Sequence, residues 1–286
     1  MKHIKIFIEL TRLNKPIGYM LLFWPCSWGL VFSASLNQHF DQLIYFLFLF
    51  FCGSVLMRSA GCIINDIVDK DIDKKVERTK KRPIANNDIS IKRSLLYSLI
   101  LCIFAFLILI QFNLSTIFLG MGSMLLAFSY PFMKRITYWP QLFLGITFNW
   151  GILMASTAIN NTISFEVFLL YFSAIFWTLG YDTIYGLQDI VDDEIIGMKS
   201  TSIKFKKNPK LFVSLCYLFN LIPLFYIFKF DLSNYLTILL FLSYVALLLY
   251  QIKIFNLSQP LSCLRAFKLN NLNGITMFLL ILTITL

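Results

Sequence analysis

The 286-residue sequence is poor in charged residues, in histidine and in clustered cysteine. Asp, Glu, Lys and Arg together make up only 14% of it, and His3 and His39 are its two histidines. Both lie outside the long apolar segments, which excludes an intramembrane haem held by two histidines. The six cysteines are scattered with no CxxC pair, so we interpret them as small buried side chains and not as a zinc site or a disulfide framework.

Apolar residues, by contrast, are abundant and come in long runs. They account for 58% of the chain, whereas a soluble domain is usually about 45–50% apolar. Runs of about 18 residues or more can cross a bilayer as helices. The sequence therefore predicts an all-α polytopic membrane protein with one domain over 1–286. Its nine predicted transmembrane helices lie at about 17–36, 42–64, 94–112, 114–133, 140–159, 165–185, 211–229, 234–252 and 272–286.

Lys and Arg predict the orientation of these spans. With the N-terminus in the cytoplasm, nearly all of the 25 Lys and Arg residues fall on the inner side, as the positive-inside rule requires. The exceptions are Arg58, inside the second span, and Lys229, at the outer edge of the seventh. We therefore expect an N-in, C-out topology. The net charge of +10 then reflects orientation in a lipid bilayer and not a nucleic-acid partner, and no obligatory protein partner is predicted.

Acidic residues gather at the cytoplasmic ends of the second and sixth spans. About half of the 15 Asp and Glu residues lie there, and each cluster opens a longer inner loop, at about 65–93 and 186–210. A single cluster could be a solvated helix end. Two clusters in equivalent positions argue for a shared function on the cytoplasmic face. The cluster residues are Asp66, Asp69, Asp71, Asp73, Asp189, Asp192, Asp193 and Glu194.

The spacing within the clusters suits a divalent cation. If the second helix continues, Asn65, Asp69 and Asp73 stand at i, i+4 and i+8 on one face, and Asp189 and Asp193 repeat the i, i+4 spacing. Like charges at this spacing destabilise a helix and call for a compensating cation. Carboxylate and amide oxygens suit Mg²⁺ held jointly with substrate phosphates. Two such ridges facing each other would hold a diphosphate.

Several basic residues are candidates for binding the substrate. Arg78, Lys134 and Lys199 in the inner loops could hold phosphate oxygens, although the positive-inside rule alone also predicts basic loops. Arg58 lies two helical turns before Asn65, at a depth where a charge is costly and indicates a functional site. Its guanidinium would suit a substrate carboxylate, and snorkelling to the interface is the alternative.

Two segments resemble the signatures of a known family. MRSAGCIINDIVD (57–69) with the following Asp73 and Arg78, and YDTIYG (181–186) continuing through Asp189 to Thr201, resemble the UbiA superfamily of intramembrane prenyltransferases. The flanking segments are similar to the branch that prenylates 4-hydroxybenzoate in ubiquinone biosynthesis. These flanking segments are RLNKPIG (12–18), WPC (24–26) and GILMA (151–155).

The resemblance implies a fold, a reaction and roles for residues. The fold would be a ring of helices around a lipid-open cavity in a bacterial inner membrane, with the active site on the cytoplasmic side. Polyprenyl diphosphate and 4-hydroxybenzoate would be the substrates and Mg²⁺ the cofactor. An aspartate of the second cluster would accept the ring proton. The catalytic and metal-binding residues would be Asn65, Asp69, Asp73, Asp189 and Asp193. Arg78, Lys134 and Lys199 would contact the diphosphate, Arg58 the hydroxybenzoate carboxylate, and Tyr130 the reacting centre.

Two other functions compete with this one. A sister prenyltransferase would share the acidic clusters but act on a haem-type or naphthoate-type acceptor. A cation-coupled secondary transporter would also need acidic residues, but transporters usually place coupling charges near the bilayer midplane, whereas these acids lie at helix ends. A purely structural scaffold gives no reason for the register of Asn65, Asp69 and Asp73.

Overall fold

The computed structural model describes residues 2–38, 40–228 and 234–285, and within these ranges every regular element is helical. Lys229 and His39 lie outside the described residues. The helices are α1 (Lys2–Thr11), α2 (Ile17–Asn37), α3 (Leu43–Val68), α4 (Lys70–Asp73), α5 (Ile91–Leu109), α6 (Leu114–Ile136), α7 (Pro140–Asn149), α8 (Gly151–Asn160), α9 (Phe165–Gly186), α10 (Ile190–Ile196), α11 (Thr201–Lys204), α12 (Pro209–Phe228), α13 (Tyr235–Ile254), α14 (Pro260–Lys268) and α15 (Asn270–Leu282), followed by a 3₁₀ turn (Thr283–Thr285).

Eight helical segments within the described ranges are long and apolar enough to cross a membrane. They correspond to the first eight predicted spans, and the fifth span consists of α7 and α8, which are separated at Trp150. The predicted ninth span corresponds to α15, whose 13 residues are fewer than a helix needs to cross a bilayer alone. The count of nine spans and the N-in, C-out orientation stay predictions.

The long helices form the expected ring. Each span packs against the next along the chain, and α15 closes the ring by returning to α2. Helix α2 also packs closely on α8, and two glycines allow this approach. A Cβ on Gly29 would lie 2.8 Å from Cα of Ile152, and one on Gly151 would overlap Sγ of Cys26. Both positions therefore require glycine for packing.

Hydrogen bonds between buried polar side chains tie the second half of the ring together. The Tyr217 hydroxyl on α12 donates to Gln251 on α13 at 2.5 Å, and the Gln251 amide donates to Asn270 on α15 at 3.0 Å. Trp28 on α2 donates to the carbonyl oxygen of Gly274 on α15 at 3.0 Å. Since an unpartnered polar group in hydrocarbon is costly, these bonds specify how the helices pair.

Candidate active site

The interior of the ring holds a cavity of about 1390 Å³, and all of the predicted site residues line it. Its walls come from α2, α3, α5, α6, α7 and α9. One end, which we call the acidic end, lies where the loops after α3 and α9 meet. The predicted residues that share this cavity are Arg58, Asn65, Asp69, Asp73, Arg78, Tyr130, Lys134, Asp189, Asp193 and Lys199.

The first acidic ridge forms although no single helix carries it. Helix α3 ends at Val68, and Asp69 stands between α3 and the short α4 with φ −93° and ψ 7°. The condition that the second helix continues through Asp73 is therefore not met. The backbone N–H of Asp69 still donates to the carbonyl oxygen of Asn65 at 2.9 Å, and that of Asp73 to Asp69 at 2.8 Å. Because the i, i+4 bonds persist across the break, the three side chains keep to one face.

Asp69 is the most enclosed carboxylate of the first ridge. It is 1% exposed and forms an ion pair with Lys134 from the last turn of α6. The Asn65 amide donates to the same oxygen of Asp69 at 3.1 Å, and Arg135 lies 3.4 Å from the other oxygen. The backbone N–H of Lys199 donates to the carbonyl oxygen of Lys134 at 2.8 Å. The second loop therefore holds the end of α6, and with it the cation that faces Asp69.

Asp66 and Arg12 belong to the site, although from the sequence Asp66 is a member of the first acidic cluster without an assigned role, and Arg12 has none. Asp66 is 2% exposed and receives Arg12 at 2.5 Å and Arg82 at 3.0 Å. Arg82 also pairs with Asp73 at 2.8 Å. The carboxylate of Asp66 is thus engaged by arginines that connect the N-terminal segment to the first loop. Its position directly after Asn65 was the available signal, but the sequence does not reveal its partners.

Arg78 joins the two acidic loops. Its Nε and Nη2 donate to the two carboxylate oxygens of Asp189 at 2.7 and 2.5 Å, and its guanidinium carbon lies 5.8 Å from the centre of the Tyr185 ring. This is the two-point geometry that arginine offers to a carboxylate or a phosphate. The backbone N–H of Asp193 donates to the carbonyl oxygen of Asp189 at 2.9 Å, which confirms the i, i+4 register of the second ridge.

The carboxylates of the acidic end carry more negative charge than their surroundings tolerate. Burial, together with the neighbouring Asp189, raises the pKa of Asp193 to about 6, although Lys134 and Arg78 oppose the rise. Burial also raises the pKa of Asp73 against the pull of its arginine partner. A raised carboxyl pKa means that the charged form is disfavoured. A further cation near these groups would relieve that penalty.

The charged form of one cation at the acidic end, Lys15, is also disfavoured. Burial and the neighbouring guanidinium groups of Arg12, Arg78 and Arg82 lower the pKa of Lys15, which lines the same end of the cavity. Like-charge repulsion of this kind disfavours the ammonium form and is relieved by an anion. The acidic end therefore favours a ligand that carries both a metal cation and a polyanion.

The donor set fits Mg²⁺ shared with a diphosphate. Within the described ranges no three His, Cys, Asp or Glu side chains lie close enough together to hold a metal by themselves. Mg²⁺ is usually bound through one or two carboxylates plus substrate phosphates and water. The ridge around Asn65 and Asp69 and the ridge around Asp189 and Asp193 each offer such a partial set.

Deeper in the cavity, a cation and a carboxylate face the same apolar space. Arg58 lies with its guanidinium carbon 5.6 Å from the centre of the Phe148 ring, and its Nε is buried without a hydrogen-bond partner within the described ranges. Gly18 makes room for it, since a Cβ there would lie 3.1 Å from this Nε. Asp182 on α9 lines the cavity and is in electrostatic contact with Arg58. No ion pair within 4.0 Å between the two is found among the described residues.

Asp182 is the functional candidate that sequence reasoning passed over. It lies in YDTIYG next to Tyr181, but without an i, i+4 acidic neighbour of its own. An acid inside a predicted span is in itself a functional signal. Tyr130, predicted to lie at the reacting centre, lines the same cavity, is half-buried, and is in electrostatic contact with Asp182 and Arg58.

Comparison with known proteins adds to this description. Residues 22–279 match the family model described as the UbiA prenyltransferase family. The chain is 41% identical over 279 residues to a 4-hydroxybenzoate octaprenyltransferase of Psychromonas ingrahamii, with 95% of this chain and 93% of that one covered. It is 47% identical over 209 residues to a mitochondrial 4-hydroxybenzoate polyprenyltransferase of Rattus norvegicus, which covers 73% of this chain and 55% of that protein. The chain thus spans about half the length of the mitochondrial relatives it matches.

A solved structure shows the same fold. A UbiA homologue of Archaeoglobus fulgidus, bound to GPP and Mg²⁺, superimposes with a TM-score of 0.71 at 14% identity, with 98% of this chain and 99% of that one covered. At this level of identity the likeness concerns the fold alone.

Proposed function

Since the chain belongs to the UbiA prenyltransferase family, we propose that it transfers a polyprenyl group from polyprenyl diphosphate to 4-hydroxybenzoate in ubiquinone biosynthesis, with Mg²⁺ as cofactor. One observation carries the proposal: two acidic ridges linked by Arg78 and Asp189 lie at one end of an apolar cavity that also contains Arg58. The names of the bacterial and mitochondrial relatives support the same donor and acceptor. The proposal treats the chain as one transmembrane domain.

The acidic end would bind the diphosphate. Asn65, Asp69 and Asp73 from the first ridge, with Asp189 and Asp193 from the second, would hold Mg²⁺ together with the phosphate oxygens. The bound metal would supply positive charge to the departing diphosphate. The GPP and Mg²⁺ named for the Archaeoglobus homologue support this pairing of ligands.

The basic residues of the acidic end would complete the diphosphate site. In the structure Arg78 pairs with Asp189 and Lys134 pairs with Asp69. Phosphate oxygens are the other usual partners of such cations. The Lys199 ammonium donates to the carbonyl oxygen of Ile136 at 3.2 Å, at the rim of the cavity, from where it would add to the attraction of the diphosphate.

The deeper part of the cavity would bind the acceptor. In 4-hydroxybenzoate the carboxylate and the hydroxyl stand at opposite ends of a ring. Arg58 would bind the carboxylate, and Asp182 would accept a hydrogen bond from the hydroxyl. The buried, unpartnered Nε of Arg58 supports this assignment, because a buried donor without a partner is costly until a ligand satisfies it.

The reaction would be an aromatic substitution. The bond between the allylic carbon and the diphosphate oxygen breaks, and its electron pair leaves with the diphosphate. The ring carbon meta to the carboxylate forms the new carbon–carbon bond, and its proton passes to an aspartate. Asp189 is engaged at both oxygens by Arg78, so Asp182 and Asp193 are the better candidates for this base.

The apolar walls would protect the reaction. A positively charged allylic centre reacts with water, and closed hydrophobic surroundings exclude water from it. The faces of Phe148 and Tyr130 line the cavity beside Arg58 and Asp182, and aromatic faces stabilise positive charge. We place this site on the cytoplasmic side of a bacterial inner membrane, because the basic loops surround the acidic end.

A direct assay tests the proposal. The purified protein is incubated with Mg²⁺, a polyprenyl diphosphate and three acceptors: 4-hydroxybenzoate, a hydroxynaphthoate and haem. We expect prenylation of 4-hydroxybenzoate alone, and loss of turnover in Asp69→Asn and Asp189→Asn variants that remain monodisperse. Product formed only with another acceptor would identify a sister enzyme. Full activity in both variants would contradict the assigned diphosphate site.

A further inference from the structure

Helix α3 borders the cavity over most of its length. From Asp69, just after the end of α3, back to Leu49, every fourth residue lines the cavity. By helix rise, the distance from Asp69 back to Leu49 is about 30 Å, which is close to the thickness of the hydrocarbon core. These residues are Asp69, Asn65, Gly61, Met57, Gly53 and Leu49.

The two glycines of α3 have no packing reason to be glycine. Gly53 and Gly61 are the only glycines of α3, and both lie in its interior. A Cβ built at either position meets no atom within 4 Å, and neither has a positive φ. At Gly29, by contrast, a Cβ would collide with Ile152. Since glycine inside a helix costs about 1 kcal/mol relative to alanine, both positions need another explanation.

The cavity provides that explanation, because both glycines keep it open. Ile103 and Phe106 of α5 and Met124 of α6 line the same cavity. Since no atom lies within 4 Å of a Cβ built at Gly53 or Gly61, a larger side chain at either position would take up cavity space. The far end is narrowed by aromatic rings, where Phe50 and Phe112 approach with 5.1 Å between their centroids.

We propose that Gly53 and Gly61 determine how long a prenyl chain the cavity accepts, with the donor's tail lying along α3 from Asp69 towards Leu49. This inference rests on the proposed function and adds the path of the tail. The occupant follows from continuity. The cavity is charged at the acidic end, and the α3 residues beyond Asn65 that line it are apolar apart from Arg58 and Ser54, as an elongated apolar chain bearing a diphosphate requires.

The positions can be matched to isoprene units. An extended chain advances about 3.5 Å for every three backbone bonds, so an isoprene unit of four bonds covers roughly 4.5 Å by the same geometry. Gly61 lies about 12 Å and Gly53 about 24 Å from Asp69 along α3. With the diphosphate at Asp69, Gly61 would stand beside the third unit and Gly53 beside the fifth or sixth.

The test replaces each glycine by leucine and varies the donor. Geranyl, geranylgeranyl and octaprenyl diphosphates have two, four and eight units. We expect Gly53→Leu to lower kcat/KM about tenfold or more for the octaprenyl donor only. Gly61→Leu should impose a similar loss on both longer donors while geranyl transfer stays within about twofold. Gly122→Leu on α6 is the matched control, because Gly122 also has open space around it but does not line the cavity.

A binding measurement separates this inference from the proposed function. Stabilisation against thermal unfolding by each diphosphate, with Mg²⁺ and without an acceptor, reports donor affinity alone. If donor binding weakens in the same order, the tail path is supported, even if no prenyl group is transferred to 4-hydroxybenzoate. The lack of transfer would then overturn the proposed function only. The tail path would be overturned if a substitution affected all three donors equally, if it affected none of them, or if Gly122→Leu weakened binding of the octaprenyl donor as Gly53→Leu is expected to do.

Discussion

Replacing Arg58 by methionine should weaken the binding of the acceptor and leave that of the donor unchanged. Methionine keeps most of the volume of the side chain and removes its charge and its donors. The guanidinium lies against Phe148 and beside Gly18, with Nε buried and no ion-pair partner within the described ranges. Its Nε is therefore available to a substrate carboxylate, and the substitution breaks no ion pair among the residues that the structure describes.

The size of the effect follows from the kind of interaction that the substitution removes. A hydrogen bond to a charged group contributes about 1.5–3 kcal/mol. At one factor of ten per 1.4 kcal/mol, the KM for the hydroxybenzoate acceptor should rise roughly 10- to 150-fold. Arg58→Lys keeps the charge but loses the planar fork, so we expect an intermediate increase.

The assay compares two acceptors. Steady-state kinetics are measured with 4-hydroxybenzoate and with its neutral methyl ester, at a saturating concentration of donor. In Arg58→Met the KM should rise for 4-hydroxybenzoate and stay nearly unchanged for the methyl ester, because the ester has no carboxylate for Arg58 to bind. An equal penalty for both acceptors would show that Arg58 acts on the shape of the cavity, and an increase in the KM of the donor would place it at the diphosphate. Either result would refute the reasoning.

Three further substitutions test other parts of the structure. Arg78→Lys replaces the two-point contact with Asp189 by a single one, and kcat/KM for the donor should fall about tenfold. Lys15→Met should raise the KM of the donor, because it removes a cation from the acidic end. It should not lower the melting temperature, because the lowered pKa of Lys15 means that its charge is disfavoured in the folded state at neutral pH. Tyr217→Phe leaves Gln251 without its donor, and should destabilise the protein by roughly 0.6–2 kcal/mol in detergent with activity at low temperature preserved.

Matched substitutions elsewhere provide the controls. Lys80→Met removes an ion pair with Glu77 that is exposed on both sides, and should leave the kinetics unchanged. Tyr250→Phe alters a tyrosine that is 52% exposed on the outside of the bundle, and should leave the melting temperature unchanged. An effect of Lys80→Met as large as that of Arg78→Lys would mean that general surface charge, and not the link between the loops, governs donor binding.

Much of the site could be predicted from the sequence because helical periodicity relates the side chains of residues several turns apart. The spacing alone places Asn65, Asp69 and Asp73 on one face, and their side chains lie on one face although the helix breaks at Asp69. The depth of Arg58 followed from helix rise. The cavity that these residues share with the second ridge depends on how α3, α6 and α9 pack, which spacing along one helix cannot specify.

The partners of each charge could not be predicted. Arg78 and Arg82 stand four residues apart, a spacing that would place them on one face of a helix, yet Arg78 pairs with Asp189 and Arg82 with Asp66 and Asp73. The segment between them lies outside regular helix, so the spacing of four no longer places two side chains on one face. Loop conformation, set by contacts distant in sequence, decides which carboxylate each arginine reaches.

The pairing of Lys134 with Asp69 explains how a basic loop region can hold a buried carboxylate that we propose as a metal ligand. Asp69 is almost fully buried, and removing a carboxylate from water is tolerated only when a cation accompanies it. Lys134 provides that cation. A diphosphate bound with Mg²⁺ carries both signs of charge, so the metal can face Asp69 while the phosphate oxygens face Lys134. Either component alone would leave one member of the pair buried and unmatched. The donor and Mg²⁺ should therefore bind cooperatively, and calorimetric titration of the donor with and without Mg²⁺ should show affinity that depends on the metal far more strongly in the native protein than in a Lys134→Met, Asp69→Asn double variant.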